Sequence, residues 1–311
     1  WKEANKRFDE YGNDKVVGTN GFYAMKAHWN EHPDRDEKWA EAERARIGEE
    51  RFRREHECEF LIFDETLISS IHLADMEGVP PIETTGQVRW FKRPTPGMTY
   101  LVSLDPSMGT GGDFAAIQVF ELPTFDQVGE WQHNMTPMNQ QVRILQGINK
   151  HIHDTIIEKD STATPQIFYS MENNTIGEAA LMRVMDMGEE NIMGMFLSEP
   201  IRKGHRRKFR RGFNTTAKFK IDACTKFKEL VESGKMKINS KLLISELKDF
   251  VATGLSYKAK PGQHDDLVSA CLLMTRMMKV LADFDPKIFE KWTDRTTEMT
   301  TPMPIFGNFY G

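Results

Sequence analysis

The sequence predicts an α/β fold with a mixed central sheet that is flanked by helices and preceded by a small helical segment. Three observations indicate this fold. Strand-like apolar runs follow one another between residues 98 and 133 with short turns between them, as in an antiparallel meander. From residue 137 onward, helical and strand-like segments alternate, as in sheets with parallel strands. Ahead of both regions, residues 34–60 combine dense charge with helical apolar spacing.

The front segment predicts two short amphipathic helices within residues 34–60, divided near Gly48. Its apolar residues recur at roughly helical spacing among Glu, Arg and Lys. These residues are Trp39, Ala42, Ile47 and Phe52. Charge runs of this kind are typical of a solvated helix face. The proline-rich residues 78–97 that follow favour a linker or a short surface hairpin, and we place the domain boundary there.

The main region contains the alternating elements that this fold requires. Strands are predicted at residues 98–105, 114–120, 127–133, 166–171, 191–196 and 254–257. Helices are predicted at residues 137–151, 176–187, 217–232 and 240–250, and from residues 264–266 to residue 281. Residues 202–211 lack core-facing periodicity and are predicted to form a loop or hairpin. The residues after 284 are predicted to form an extended tail.

Composition places the chain among ordinary globular proteins, but its charge is unevenly distributed. The 311 residues are 39% hydrophobic and 28% charged, with a formal net charge of −5. Residues 1–90 carry −7, residues 91–200 carry −8 and residues 261–311 carry −2, whereas residues 201–260 carry +12. One basic segment in an acidic chain indicates a localised polyanion-binding surface rather than a uniformly basic protein.

Several kinds of site are disfavoured by what the sequence lacks. The three cysteines are far apart and have no CxxC spacing, so we expect neither a disulfide framework nor a zinc site, in a reducing intracellular setting. The longest apolar run, residues 267–274, is shorter than the ~20 residues that cross a bilayer, so no membrane partner is expected. No GxxxxGK[ST] pattern occurs, which excludes a P-loop from this sequence.

Acidic residues occur where three predicted elements begin or end. Asp105 ends the first main strand and Glu172 follows the fourth, while Asp265 and Asp266 open the last helix. Ligands of open α/β sheets bind beyond the strand ends, so convergence of these acids would gather oxygen ligands for Mg²⁺ or Mn²⁺. Two such ions can activate a water and stabilise the leaving oxygen of a phosphoryl displacement. Taken singly, Asp105 is more typical of a turn cap, Glu172 of a strand-end surface residue, and Asp265 and Asp266 of helix caps. Only their joint placement favours a metal site.

Two further features bear on a site that acts on nucleic acid. Asp113 could support the carboxylates from the second strand or shape the glycine-rich turn at residues 109–112, which is weak evidence for phosphate binding. The basic segment holds seven Lys or Arg within ten residues, a composition suited to phosphate contacts. These residues are Arg202, Lys203, Arg206, Arg207, Lys208, Arg210 and Arg211.

Three stretches stand in a characteristic order and spacing. They are Ser103–Gly109 with Asp113-Phe114, then Ser170–Gly177, and finally Gly262–Val268. Together they resemble the C-terminal nuclease domain of the large terminase subunit of tailed bacteriophages, closest to the contractile-tailed kind. The His-Asp-Asp-Leu-Val element in the third stretch is the most specific. Residues 20–23, 28–30, 51–60 and 66–69 look like the end of the terminase ATPase domain and its hinge.

The resemblance implies a ribonuclease H-like fold, two divalent metal ions, and endonucleolytic cutting of concatemeric double-stranded viral DNA during genome packaging. Asp105 would bridge the metals, Glu172 would be the second ligand, and either Asp265 or Asp266 the third, with Asp266 preferred; His264 would support the site. The implied domains are an ATPase remnant with its hinge, a linker, the nuclease domain and a tail. Their ranges are 1–77, 78–97, 98–283 and 284–311.

The resemblance also implies partners and a location. The portal protein and the small terminase subunit would be partners, in the cytoplasm of the host cell and outside the virion. The family's ATP-binding half is not in this sequence, which begins at Trp1, and we expect a piece of a longer protein. ATP-driven DNA translocation is therefore not expected of this chain alone.

Two other functions are compatible with the residues. An actin-like or sugar-kinase-like ATPase would use Asp105 and the glycine-rich turn as a phosphate-binding hairpin, although the second such hairpin that this architecture normally needs is not found. A non-catalytic module for DNA binding or docking would use the basic segment and leave the acids as caps. Its DNA binding would depend steeply on salt but would not require a metal.

Overall fold

The computed structural model describes residues 18, 21–23, 25, 27–58, 65–199 and 211–284. The chain divides into two units, residues 1–63 and residues 64–311. In the described ranges, no helix is long and apolar enough to cross a membrane. Cys58, Cys224 and Cys271 are all free thiols.

The first unit contains the two predicted helices, and Gly48 divides them as expected. They are α1 (Glu37–Ile47) and α2 (Glu49–His56). Gly48 adopts a φ of 83°, which favours glycine and lets the chain turn between the helices. The side chain of Asp36 caps α1 by accepting a 2.8 Å hydrogen bond from the Trp39 amide. Buried Phe52 packs with Trp29 and Trp39 into a small aromatic core.

The second unit is built on a seven-stranded mixed sheet with the strand order β1-β2-β5-β4-β3-β6-β7. The strands are β1 (Glu83–Thr85), β2 (Val88–Trp90), β3 (Thr99–Asp105), β4 (Ala115–Leu122), β5 (Asp126–His133), β6 (Gln166–Met171) and β7 (Met195–Phe196). The meander β3-β4-β5 is antiparallel, while β6 pairs parallel to β3 and β7 parallel to β6. The predicted α/β fold with a mixed central sheet is confirmed.

The segment 78–97 forms a hairpin that extends the sheet rather than a free linker. Strands β1 and β2 pair with each other, and β2 pairs with β5 through Arg89 opposite Glu130 and Trp90 opposite Gly129. Trp90 is almost fully buried in the main core. Gly86 lies in the turn of this hairpin with a φ of 61°, and the prolines lie outside its two strands. Backbone pairing with β5 makes the hairpin part of the main unit.

Six α-helices accompany the sheet in the described part of the second unit. They are α3 (Ser70–Asp75), α4 (Met138–Lys159), α5 (Thr175–Met187), α6 (Ala217–Glu232), α7 (Lys241–Asp249) and α8 (Asp266–Phe284). Helices α4 and α5 share a core with one sheet face, whereas α8 lies against β3 and β4 and packs on α6 and α7. Helix α4 runs beyond the predicted end at residue 151, because Ile152 and Ile156 continue its buried face.

A separate two-stranded hairpin precedes α8. It comprises β8 (Phe250–Thr253) and β9 (Ser256–Ala259), where one short strand was predicted. Gly254 turns the chain between them with a φ of 61°. The backbone amide of Leu67 donates to the Phe250 carbonyl, and that of Ala252 donates to the Glu65 carbonyl, so β8 is tied to the start of the unit.

Candidate metal centre

Asp105 and Glu172 are brought together by the register of two parallel strands. Leu104 of β3 lies opposite Met171 of β6, and the Glu172 amide continues the ladder by donating to the Leu104 carbonyl at 3.2 Å. Side chains alternate between the faces of a strand. Leu104 and Met171 belong to the core beneath α4 and α5. Asp105 and Glu172 therefore point to the opposite face, which α8 covers.

The turn after Glu172 is closely packed. Asn174 caps α5 by accepting a 2.8 Å hydrogen bond from the Gly177 amide, and its Nδ2 lies 3.3 Å from Oε2 of Glu172. A Cβ at Gly177 would lie 2.7 Å from the Glu172 carbonyl carbon and closer still to its oxygen. Glycine at this position thus allows the helix to start directly against the acidic residue.

Asp265 and Asp266 enter the site at the start of α8 but have different surroundings. The carboxylate of Asp265 accepts a 3.3 Å hydrogen bond from the Ala259 amide and lies 4.0 Å from Nζ of Lys220. Asp266 is more buried, and its Oδ2 is enclosed without a hydrogen-bond partner, 3.7 Å from Nδ1 of His264. Asp266 therefore offers an oxygen that protein donors leave unused.

Burial and neighbouring negative charge raise the pKa of two of the acids, Asp105 and Asp266. Burial raises the pKa of Asp105 well above its ordinary value, and the negative charges of Glu172 and Asp266 raise it further. Burial also raises the pKa of Asp266 to about 6, with a contribution from the charge of Asp265 and opposing effects from His264 and the Phe114 amide. The raised pKa of Asp105 and Asp266 indicates that nearby cations do not offset their negative charge, and a bound metal cation would stabilise their ionised forms.

The acids are chemically suited to bind a hard divalent cation, although their side chains are not arranged closely enough to coordinate one together. Among the described residues, no three His, Cys, Asp or Glu side chains are grouped closely enough to hold a metal ion as they stand. The acids supply oxygen donors alone, which Mg²⁺ and Mn²⁺ prefer. Two observations favour a bound cation. The Oδ2 atom of Asp266 has no hydrogen-bond partner, and the carboxylate of Asp105 is repelled by the negative charges of Glu172 and Asp266. Asp105, Glu172 and Asp266 are the residues that could hold the cation.

A cleft of about 150 Å³ opens beside Asp105 and Glu172. It is also lined by Lys220 of α6 and Arg276 of α8, so cationic side chains share the cleft with the acids. Neither residue was predicted. Arg276 had a detectable signal, because it interrupts a long apolar helix. Lys220 had none, since it is one of many lysines in the basic region of the sequence.

The predicted supporting residues lie near Asp266. The charge of Asp113 contributes to its raised pKa, and the ring of His264 packs edge-on against Phe114 at 4.7 Å between centroids. Asp113 itself is exposed, at the turn that Gly109 and Gly111 make with positive φ. Both proposed roles of Asp113, in the turn and beside the carboxylates, are compatible with this position.

The predicted DNA-binding segment can be placed at Arg211 alone. Arg202, Lys203, Arg206, Arg207, Lys208 and Arg210 lie outside the described residues, as does the predicted tail after residue 284. Arg211 pairs with Glu189 at 2.5 Å and lies 5.7 Å from the ring centre of Phe196. Its guanidinium is engaged within the protein, and DNA contact by the other six residues stays a prediction.

Comparison with known proteins identifies both a family and a fold. The family model described as "Terminase RNaseH-like domain" matches residues 102–277, a range that contains all four acids. The large terminase nuclease from the thermophilic phage G20c is 18% identical, with a TM-score of 0.50 over 68% of this chain and 97% of that chain. Its magnesium-bound and cobalt-bound forms are also 18% identical, each with a TM-score of 0.50 over 69% of this chain and 97% of that chain. This likeness is one of fold.

Proposed function

The chain belongs to the terminase RNaseH-like domain family, and we propose that it is a metal-dependent endonuclease that cuts concatemeric double-stranded viral DNA during genome packaging. The observation that carries the proposal is that Asp105 and Glu172 line one cleft at the end of β3 and β6, with Asp266 near enough for its charge to raise the pKa of Asp105. Magnesium and cobalt in the similar nuclease from phage G20c support a divalent metal here.

Within this proposal, Asp105 would be shared by two divalent ions, Mg²⁺ or Mn²⁺, with Glu172 as the second ligand and Asp266 as the third. When bound, the ions supply an activated water and stabilise negative charge on the leaving oxygen. Asp266 is favoured over Asp265 because its Oδ2 is buried without a hydrogen-bond partner, whereas the Asp265 carboxylate lies 4.0 Å from the Lys220 ammonium. The Phe114 amide and the nearby His264 restrain Asp266.

Double-stranded DNA is the proposed substrate because the +12 segment supplies the charge that phosphates need. The portal protein, the small terminase subunit and an ATPase half of the same polypeptide are the proposed partners in packaging. The host cytoplasm is the proposed location. These assignments rest on the family rather than on contacts in this chain.

Plasmid cleavage tests the function directly. Wild-type protein should convert supercoiled plasmid to nicked and linear forms with Mn²⁺ or Mg²⁺ and should be inactive with a chelator. Asp105→Asn and Glu172→Gln should each lower the rate by at least about a hundredfold, because each removes a charged oxygen ligand. Asp186→Asn is the matched control, since Asp186 is 63% exposed and pairs with Arg183 on α5.

The same assay separates the competing functions. If the plasmid stays supercoiled with every metal while the protein still binds DNA, the nuclease proposal is wrong, and the chain is a non-catalytic DNA-binding module. Equal cleavage by the wild type and the Asp105→Asn variant would show that the carboxylate cluster does not carry out the cleavage. Saturable ATP binding by this chain would instead favour the kinase-like interpretation of the Asp105 hairpin.

A further inference from the structure

Lys220 occupies a position that the metal-site proposal leaves unexplained. It lines the same cleft as Asp105 and Glu172, which places an ammonium group beside the acidic cluster. The side chain is 23% exposed, so solvent or a ligand in the cleft can reach it. A phosphodiester that entered this cleft would need a cation to offset repulsion by the carboxylates.

Arg276, the other cation that lines the cleft, is committed to the protein. Its Nη2 donates to Glu199 and, at 2.9 Å, to the Asn214 carbonyl, while its Nη1 donates to the Thr215 hydroxyl at 2.9 Å. The guanidinium also lies 5.2 Å from the ring centre of Phe213. With 11% of the side chain exposed, Arg276 anchors residues 213–215 and has little capacity left for a ligand.

Lys220, unlike Arg276, is free to bind a ligand in the cleft. Its one ionic contact within the described ranges is with Asp265, at 4.0 Å, the outer limit of an ion pair. Its ammonium lies 5.4 Å from the ring centre of Phe250, a contact that uses the face of the ring and no hydrogen bond acceptor. An ammonium has three N–H donors, so Lys220 can hydrogen bond to an anion in the cleft.

The start of α6 adds to the positive potential. Thr216 caps this 16-residue helix, and both Thr215 and Lys220 line the cleft. The helix therefore begins at the cleft, and the partial positive charge of its first turn acts on the same anion. This contribution is supplementary, since Lys220 supplies the full charge.

We propose that Lys220 is a phosphate-binding residue of the nuclease site, whose ammonium contacts a non-bridging oxygen of the DNA phosphate held beside Asp105 and Glu172. The inference rests on the proposed function and extends it, because Lys220 lies outside the ten-residue basic segment predicted to bind DNA. In this arrangement the acids of the cleft bind the metal ions, and the ammonium group of Lys220 binds the DNA phosphate.

The test compares Lys220→Gln, Lys220→Arg and Lys226→Gln in the full chain. Lys226 lies on the same helix, is 50% exposed and pairs with Glu229, so it controls for loss of one positive charge. Binding of a short DNA duplex is measured with a chelator over a range of salt. The slope of log affinity against log salt should fall in magnitude by about 0.9 in Lys220→Gln and stay unchanged in Lys226→Gln.

Turnover and metal binding complete the test. Lys220→Gln should lower kcat by about tenfold or more, Lys220→Arg should recover part of the loss, and calorimetric Mn²⁺ affinity should not weaken in either variant. If the slope of log affinity against log salt in Lys220→Gln equals that of the wild type, the proposal is overturned. Weakened Mn²⁺ binding with that unchanged slope would assign Lys220 to positioning Asp265 instead. Because the slope needs no cleavage, it tests Lys220 even if the wild type proves inactive and the nuclease proposal fails.

Discussion

Asp265 and Asp266 are neighbours in the sequence, but the structure gives them different chemistry. Asp265 faces the Ala259 amide and Lys220, whereas Asp266 keeps an enclosed oxygen with no hydrogen-bond partner. The start of α8 causes the difference, because successive side chains in the first turn of a helix point in different directions. An oxygen without a protein donor is the one available to a metal.

Asparagine substitutions distinguish the two residues. Asp266→Asn should reduce metal-dependent plasmid cleavage by at least about a hundredfold, because it removes a charged ligand. Asp265→Asn should retain measurable activity, since its carboxylate serves mainly to hold the β9 backbone. Equal loss in both variants, with unchanged thermal stability, would show that both carboxylates serve the metals.

Glu246 of α7 is a buried carboxyl that was not predicted to have a role. It accepts hydrogen bonds from Nε2 of Gln132 at 2.7 Å and from the Val268 amide at 3.1 Å, which joins β5 and α7 to the first turn of α8. Burial raises the pKa of Glu246 from 4.5 to about 8. The folded state therefore holds this proton more tightly than the unfolded state does.

The raised pKa of Glu246 predicts a pH dependence of stability. The stabilisation associated with its protonation is fully present below pH 4.5 and is lost as the pH rises through about 8. In chelator, Glu246→Gln should raise the unfolding temperature at pH 8.5 and change it little at pH 5. Thermal unfolding followed by circular dichroism measures this, with the 61%-exposed Glu229→Gln as control. If the unfolding temperatures of the Glu246→Gln variant and the wild type change in parallel with pH, the prediction is wrong.

At the scale of elements, the start of α5 depends on one glycine. The close approach of Gly177 to the Glu172 backbone leaves no room for a methyl group. Gly177→Ala must displace either α5 or the turn that carries Glu172, with an expected cost of about 1–3 kcal/mol and a loss of cleavage. Urea unfolding and the plasmid assay measure the two effects.

Gly147 provides the matched control for that substitution. It lies within α4, and an added Cβ there would meet nothing within 4 Å. Gly147→Ala should therefore stabilise the protein by about 0.5–1 kcal/mol, through helix propensity alone. Similar effects of both alanines would mean that the packing at Gly177 does not constrain the turn.

Periodicity predicted the elements better than their ends and pairings. The meander and the helices of the main unit follow from apolar spacing, which is a local property of the sequence. The β1-β2 hairpin was left open between a linker and a hairpin, because turn-forming residues are common to both. Strand β8 was not predicted: the predicted helix ended at residue 250, residues 251–253 were left unassigned, and the pairing of β8 with β9 is not visible locally.

At the scale of the whole molecule, the proposed site belongs to one unit. The four acids, Lys220 and Arg276 all lie within residues 64–311. A chain that starts at residue 64 should therefore unfold cooperatively and keep the metal-dependent cleavage of the full chain within about threefold, a margin typical of measurement spread. Plasmid cleavage and thermal unfolding of the two chains check this, and loss of folding in the shorter chain would show that residues 1–63 contribute to the main unit.

The sequence by itself determined the family and the positions of the acids at element ends, because short motifs and hydrophobic periodicity are local properties that can be read along the chain. The tertiary structure decided which side chains meet. Strand register directs Asp105 and Glu172 to one face. Helix packing brings Lys220 and Arg276 into their cleft and ties Glu246 to the start of α8. Such contacts join residues far apart in the chain, and they follow from pairing and packing that no single segment specifies.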